Sequence, residues 1–224
     1  MSGRKTFTAG EVLQAADVND YLMDQSVMVF AGTAARGSAI PSPSEGMVTY
    51  LEDADELQVY TTDWGGVGGG TILQVVSTTK TDAFSAVLAS GADTAITGLS
   101  VSITPTSTSS KVYVVASVSN TAYTTGVAFI LKRDSTEISL GDAAGSRRRV
   151  TAGGNAPVSA IEMNSSAINF LDSPATTSSI TYSINIMNLR GSSDTVYVNR
   201  GSTDTDASNW PRGSSTITVM EVAG

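Results

Sequence analysis

Few side chains in this chain could do chemistry, and each group can be named. Five glycines in six positions, Gly65, Gly66, Gly68, Gly69 and Gly70, have the composition of a phosphate cradle. A dinucleotide fingerprint spaces its glycines G-x-G-x-x-G between a strand and a helix, so that backbone amides and the helix N-terminus meet the pyrophosphate. Here the third glycine would fall on Thr71 or on Leu73, a strand pattern follows, and the nearest lysine is Lys80. A flexible joint is the better reading. Glu52, Asp53, Asp55 and Glu56 could supply an acid and base pair, but "EDADE" reads as an exposed hairpin tip, a solubilising turn and not a site for acid and base work. Asp204 and Asp206 have a spacing found in calcium loops, without the glycine and terminal glutamate of an EF-hand. Arg147, Arg148 and Arg149 form the one basic cluster, and three consecutive side chains are expected to point in alternate directions. Trp210, in "SNWPRG", is an aromatic in a polar loop that could stack on a sugar ring or plug the end of a sheet pair.

What is missing narrows the field further. With no histidine and no cysteine, the chain has no Ser-His-Asp triad, thiol nucleophile, thiolate metal site or disulfide. The expectation is a protein that is not an enzyme, without cofactor or metal. The net charge of −8 disfavours a phosphate backbone as partner, so no nucleic-acid binding is expected. No apolar run approaches the ~20 residues of a membrane-spanning helix, and "MSGRKTF" is not followed by an apolar export signal.

The elements that must position these groups change character along the chain. Residues 1–64 hold the only helical signals. Asp17 is a suitable N-cap, and Val18, Tyr21 and Leu22 follow on one helical face, with Val12 and Leu13 from a short turn before it. "SVMVF" reads as extended, "AGTAARGSAIP" as a short turn ending before Pro41, and Met47–Leu51 with Leu57–Tyr60 as the arms of a hairpin running on to Trp64. From Thr71 onward short β-branched and aromatic segments alternate with Ser, Thr, Gly, Asp and Asn clusters. Val112, Val114, Ala116 and Val118 alternate toward one face, as do Ile180, Tyr182, Ile184 and Ile186. The continuous run "VAFIL" predicts a strand covered on both faces or one at a subunit contact. The expected fold is mainly β: a helix and hairpin module (1–64), a glycine-rich linker (65–70), and an antiparallel, jelly-roll-like β-sandwich (71–224) of about nine or ten strands.

"KTFTAGEVLQAADVNDYL", followed by "VMVFAGTAARGSAIPSPSEGMVTYLEDADELQVYTTDW", resembles the N-terminal segments of tailed-bacteriophage virion proteins, especially minor tail and fibre-like proteins. In these a short "AGEVL.AADVN" helix precedes an "AR" turn, a "P..GM..YL.D...L.VY" hairpin and a tryptophan. "TILQVVSTTKTDAFS", "GLSVSITPTSTSSKVYVV" and the closing "STITVMEVAG" look like the β-sandwich that phages append to such modules.

The resemblance implies a virion component made in the host cytoplasm. It implies a homotrimer docked on other virion proteins, with the β domain projecting toward a host-surface glycan or protein. The candidate docking residues are Val12, Leu13, Val18, Tyr21 and Leu22, and the candidate receptor contact is Trp210. Two alternatives stand beside this expectation. One is a capsid decoration, connector or tail-assembly protein with no receptor role, and the other is a carboxylate-dependent depolymerase.

Overall fold

The computed structural model describes residues 8–12, 14–15, 26–67, 71–121, 126–154 and 160–224. The chain forms two compact units, Met1–Gly69 and Gly70–Gly224.

In the first unit, strand β1 (Val27–Phe30) leads through helix α1 (Thr33–Ala39) to β2 (Val48–Leu51), β3 (Glu56–Tyr60) and β4 (Trp64–Gly66). The four strands form one sheet in the order β1-β2-β3-β4. β1 and β2 are parallel, which requires a crossover, and α1 supplies it. The segment read as a short turn is therefore a helix of seven residues, ending at Ala39 before Pro41. The hairpin forms as expected, with Leu51 opposite Glu56 and a turn closed by Asp55 at φ 50°.

Arg36 attaches the helix to the sheet. It is buried, donates to Gln58 Oε1, and stacks its guanidinium 4.3 Å from the centroid of Trp64, which meets Tyr60 edge-on at 5.3 Å. The glycine run begins differently from the expected linker. Gly65 and Gly66 pair with Val59 and Gln58, because the indole of Trp64 is held by Arg36 and Tyr60 and draws the next two residues into the sheet. Residues 68–70 lie outside the described residues.

The second unit contains β5 (Ile72–Lys80), β6 (Phe84–Leu88), β7 (Asp93–Ile103), β8 (Lys111–Thr121), β9 (Val127–Arg133), β10 (Thr136–Ile138), β11 (Ala152–Gly154), β12 (Asn164–Asp172), β13 (Ile180–Asn188), β14 (Asp194–Val198) and β15 (Ser215–Val222). One sheet runs β5-β15-β8-β14-β6, with β12 also paired to β8. The other runs β10-β9-β13-β7, with β11 also paired to β9. All of these pairings are antiparallel. The inward residues of both sheets share one core, in which Val112, Val114, Val118, Ile217 and Val219 meet Phe129, Leu131, Tyr182, Ile184 and Ile186. The result is a β-sandwich, with the period-two residues of β8 and β13 inside as their alternation predicts.

Two details refine what the sequence pattern implies. β7 starts five residues before Gly98, although the glycine breaks the apolar pattern. Gly98 takes φ 81° within a register shift against β13, a bulge that bends the strand without ending it. "VAFIL" is buried throughout, and its outward residues Ala128 and Ile130 are covered by Leu140 and Val150 of the β10–β11 connection. The run is thus covered on both faces within its own unit.

Two buried polar groups tie the sandwich together. Asp172 on β12 receives Arg133 Nη1 of β9 at 3.0 and 2.8 Å and the Tyr182 hydroxyl of β13 at 2.7 Å, linking one sheet to the other. Burial, reinforced by the Asp172 carboxylate, pushes the Tyr182 phenol far above its ordinary value. Glu221 on β15 accepts from Gln74 Nε2 at 2.6 Å and from the Thr106 N–H and hydroxyl, both at 2.7 Å. Burial opposes its charge, but the bonds from Gln74 and Thr106, with the Ser110 hydroxyl close by but short of hydrogen-bond geometry, hold the carboxyl down at about 2.

Candidate functional site

The segment joining β14 to β15 carries Asp204, Asp206 and Trp210. Its base is Asn199, fully buried, at φ 61°, a conformation that asparagine tolerates better than most residues. Its side-chain amide donates to the carbonyls of Lys80 (2.9 Å) and Asp82 (3.0 Å), and its Oδ1 accepts from Ser215 Oγ at 2.6 Å. Its backbone N–H donates to Ser119 and its carbonyl accepts from Gly213. Five bonds from one residue thus fix the point where β14 and β15 diverge.

Above that base, an isolated bridge between Arg200 and Arg212 closes the loop. Asp204 lies between the two guanidiniums, 3.3 Å from Arg200 Nη1 and bonded to Arg212 Nη2. Arg200 also stacks 5.0 Å from the ring centroid of Tyr197. The far side is pinned by Ser202 N–H on the Ala160 carbonyl at 3.0 Å, and a Cβ added to the adjacent Gly201 would lie 2.5 Å from that same oxygen. The loop is preorganised, which reduces the ordering cost of binding a ligand.

Asp204, Thr205, Asp206, Ala207, Trp210 and Arg212 line a shallow hollow of about 280 Å³. Trp210 is half-buried, its backbone N–H turned onto the Ala207 carbonyl. Among the described residues its indole N–H has no protein partner, and neither has the exposed Asp206 carboxylate. An apolar ring face beside a free donor and a free acceptor suits a ligand with one apolar face and a hydroxylated rim. The calcium reading of Asp204 and Asp206 loses its first ligand, because Asp204 is already neutralised by two arginines.

The other sequence candidates are less concentrated. Val12 is exposed, while Leu13, Val18, Tyr21 and Leu22 lie outside the described residues. Glu52, Asp53 and Asp55 are exposed at the hairpin tip. In the first unit, Ser26 to Phe30 with Ala39 and Ile40 line a mostly apolar hollow of about 490 Å³, and Val27 and Val29 of β1 are exposed beside it. On the outward face of the six-stranded sheet, Val75, Met220, Tyr113 and Leu171 stand in register across β5, β15, β8 and β12. The neighbouring outward positions carry hydroxyls, with Ser77 bonded to Thr218 at 2.8 Å and Ser117 to Ser165 at 3.0 Å.

No protein-family model matches the chain, and no curated protein matches it. Solved structures to which it is similar come from infectious bursal disease virus. The Gt strain aligns at a TM-score of 0.40 and 12% identity, over 74% of this chain and 42% of that chain. The T13 particle of the virus aligns at 0.38 and 12%, over 81% and 44%. Its VP2 subviral particle aligns at 0.37 and 11%, over 74% and 43%. The chain spans less than half the length of these solved chains.

Sequence reasoning singled out Trp210 but missed the arginines that shape its loop. The signal was present in "NRGSTDTDASNWPR", where arginines flank the acidic stretch on both sides. The outward apolar row was legible only in part: Val75, Tyr113 and Leu171 occupy the phase opposite to the core residues of their strands, but nothing local says that they align.

Proposed function

We propose that this chain is a non-enzymatic bacteriophage virion structural protein, a fibre-like appendage that docks on the particle through its first unit and presents the β-sandwich to a host surface. The preorganised Trp210 hollow carries this reading: a half-buried indole face with free polar groups, on a loop locked by Arg200, Asp204 and Arg212. A saccharide of the host surface fits that chemistry. One hollow of this size gives weak affinity, and a homotrimer would raise it through avidity. The resemblance of residues 5–64 to phage virion proteins supports the docking role, as do the exposed valines of β1.

Removing residues 1–64 tests the division of labour. The remaining protein is expected to fold and bind host cells saturably, yet fail to enter particles; intact incorporation with lost cell binding would overturn the reading. Release of reducing ends from host polysaccharide by the full chain would overturn the non-enzymatic part.

A second reading is a capsid decoration, connector or tail-assembly protein. The registered row Val75, Met220, Tyr113 and Leu171 favours it, since a flat apolar strip across four strands suits contact with another virion protein. The purified β unit would then show no saturable binding to host cells.

A further inference from the structure

The three arginines at 147–149 do not radiate as their position in sequence suggests. The β10–β11 connection is pressed onto its sheet by Leu140 and Val150 and tied by Gly141 N–H to the Val150 carbonyl (3.2 Å) and Thr151 N–H to the Phe129 carbonyl (2.9 Å). Within it Gly145 takes φ 60° and Arg147 N–H returns to the Ala144 carbonyl, making a turn. The residues after that turn are in no strand, so the two-residue alternation that would separate their side chains is absent. Arg147, Arg148 and Arg149 all line one hollow of about 370 Å³, together with Glu137, Leu140 and Ser146.

The charges there are not balanced from within. Arg148 Nη2 reaches Asp93 at 3.4 Å, but Asp93 also receives Asn185 at 2.7 Å and Lys132 at 3.4 Å. Glu137, the carboxylate in the lining, lies 4.0 Å from Lys132. Arg149 Nε donates to the Gly141 carbonyl at 2.6 Å and Arg147 Nη1 to the Ala144 carbonyl at 3.4 Å. These bonds orient the two guanidiniums without neutralising them, and neither has a carboxylate partner among the described residues. Three guanidiniums face two carboxylates, Asp93 and Glu137, each of which also lies against Lys132, so an excess of forked donors faces one concavity on a chain of net charge −8.

We propose that this hollow is an oxyanion site, binding a sulfate, phosphate or carboxylate group through Arg147 and Arg149 with Arg148 completing the rim. The anion accepts paired N–H bonds from guanidiniums already held in place by backbone carbonyls. The site lies in a different loop from Trp210 and does not depend on the host-recognition reading.

Titration of the full-length protein with sodium sulfate, phosphate, acetate and chloride at constant ionic strength tests this, following the arginine Nε–Hε signals by NMR. Saturable shifts with at least one oxyanion are expected, with chloride giving only small linear changes. R147Q/R149Q, checked for unchanged amide dispersion, is expected to weaken that binding by about tenfold or more. Saturation by sulfate and phosphate alone would identify a tetrahedral ligand, and saturation by acetate as well a carboxylate-compatible one; both support the site. Linear shifts with all four salts, or saturation undiminished in R147Q/R149Q, would overturn it.

Discussion

Replacing Glu221 with glutamine tests how much one buried carboxylate holds the C-terminal strand in place. The side chain is inaccessible to solvent and joins β15 to β5 through Gln74 and to the segment after β7 through Thr106. Its carboxyl is held at about 2 against an ordinary value of 4.5. At about 1.4 kcal/mol per pH unit, that difference corresponds to about 3 kcal/mol of stability. Because the folded state binds the proton less readily than the unfolded chain, this stabilisation is fully present above about pH 4.5 and declines as pH falls toward about 2. Glu221→Gln keeps the volume and one accepting oxygen but removes the charge. Urea denaturation followed by Trp210 fluorescence, in a Trp64→Phe background so that only the second unit reports, is expected to show the variant about 2–3 kcal/mol less stable at pH 7. The two proteins should converge near pH 2. A difference below about 1 kcal/mol at neutral pH, or one that stays constant from pH 7 down to the acid limit, would refute the assignment of a low-titrating carboxylate.

Asp172→Ala should cost about 2–3 kcal/mol, measured by the same denaturation, because it leaves the buried Tyr182 hydroxyl and the partly exposed Arg133 guanidinium without their shared acceptor. Tyr182 should stay silent in an alkaline absorbance titration until the β unit unfolds, and Tyr182→Phe should leave the titrating amplitude of the native protein unchanged. Asn199→Ala removes three side-chain bonds and disfavours φ 61°; a loss of about 3 kcal/mol is expected, with Asn199→Gly recovering only the backbone part. On the proposed host-recognition reading, Gly201→Ala should displace the loop from the Ala160 carbonyl and lower cell binding about tenfold while thermal stability changes little, whereas Trp210→Ala should abolish binding at equal stability.

How far the molecule was legible in the sequence differs from element to element. β8 and β13 were plain, because each places an uninterrupted period-two apolar set in the core. β6 carries little signal in the sequence, since five residues with Val87 outward give no long pattern, and its place is decided by pairing with β14 more than a hundred residues away. The helix α1 looks like a turn in the sequence because seven residues without a side-chain cap have little helical character of their own. It is held by Arg36 on Trp64, a contact across twenty-eight positions. For the candidate site, the aromatic was visible and its scaffold was not: Asn199, Arg200 and Arg212 become a frame only once β5, β8 and β15 converge at the loop base.

By itself, then, the sequence determined that this is a β protein, which residues of the long strands face inward, and that chemistry depending on histidine or cysteine is absent. Those are properties of composition and of a two-residue period, both local. Only the tertiary structure decided that Val75, Met220, Tyr113 and Leu171 form one row, that three consecutive arginines share one hollow, and that Asp204 is spent on two guanidiniums. The reason is physical: alternation encodes which face a side chain takes, whereas strand neighbours are chosen by hydrogen bonds and packing between segments far apart in the chain.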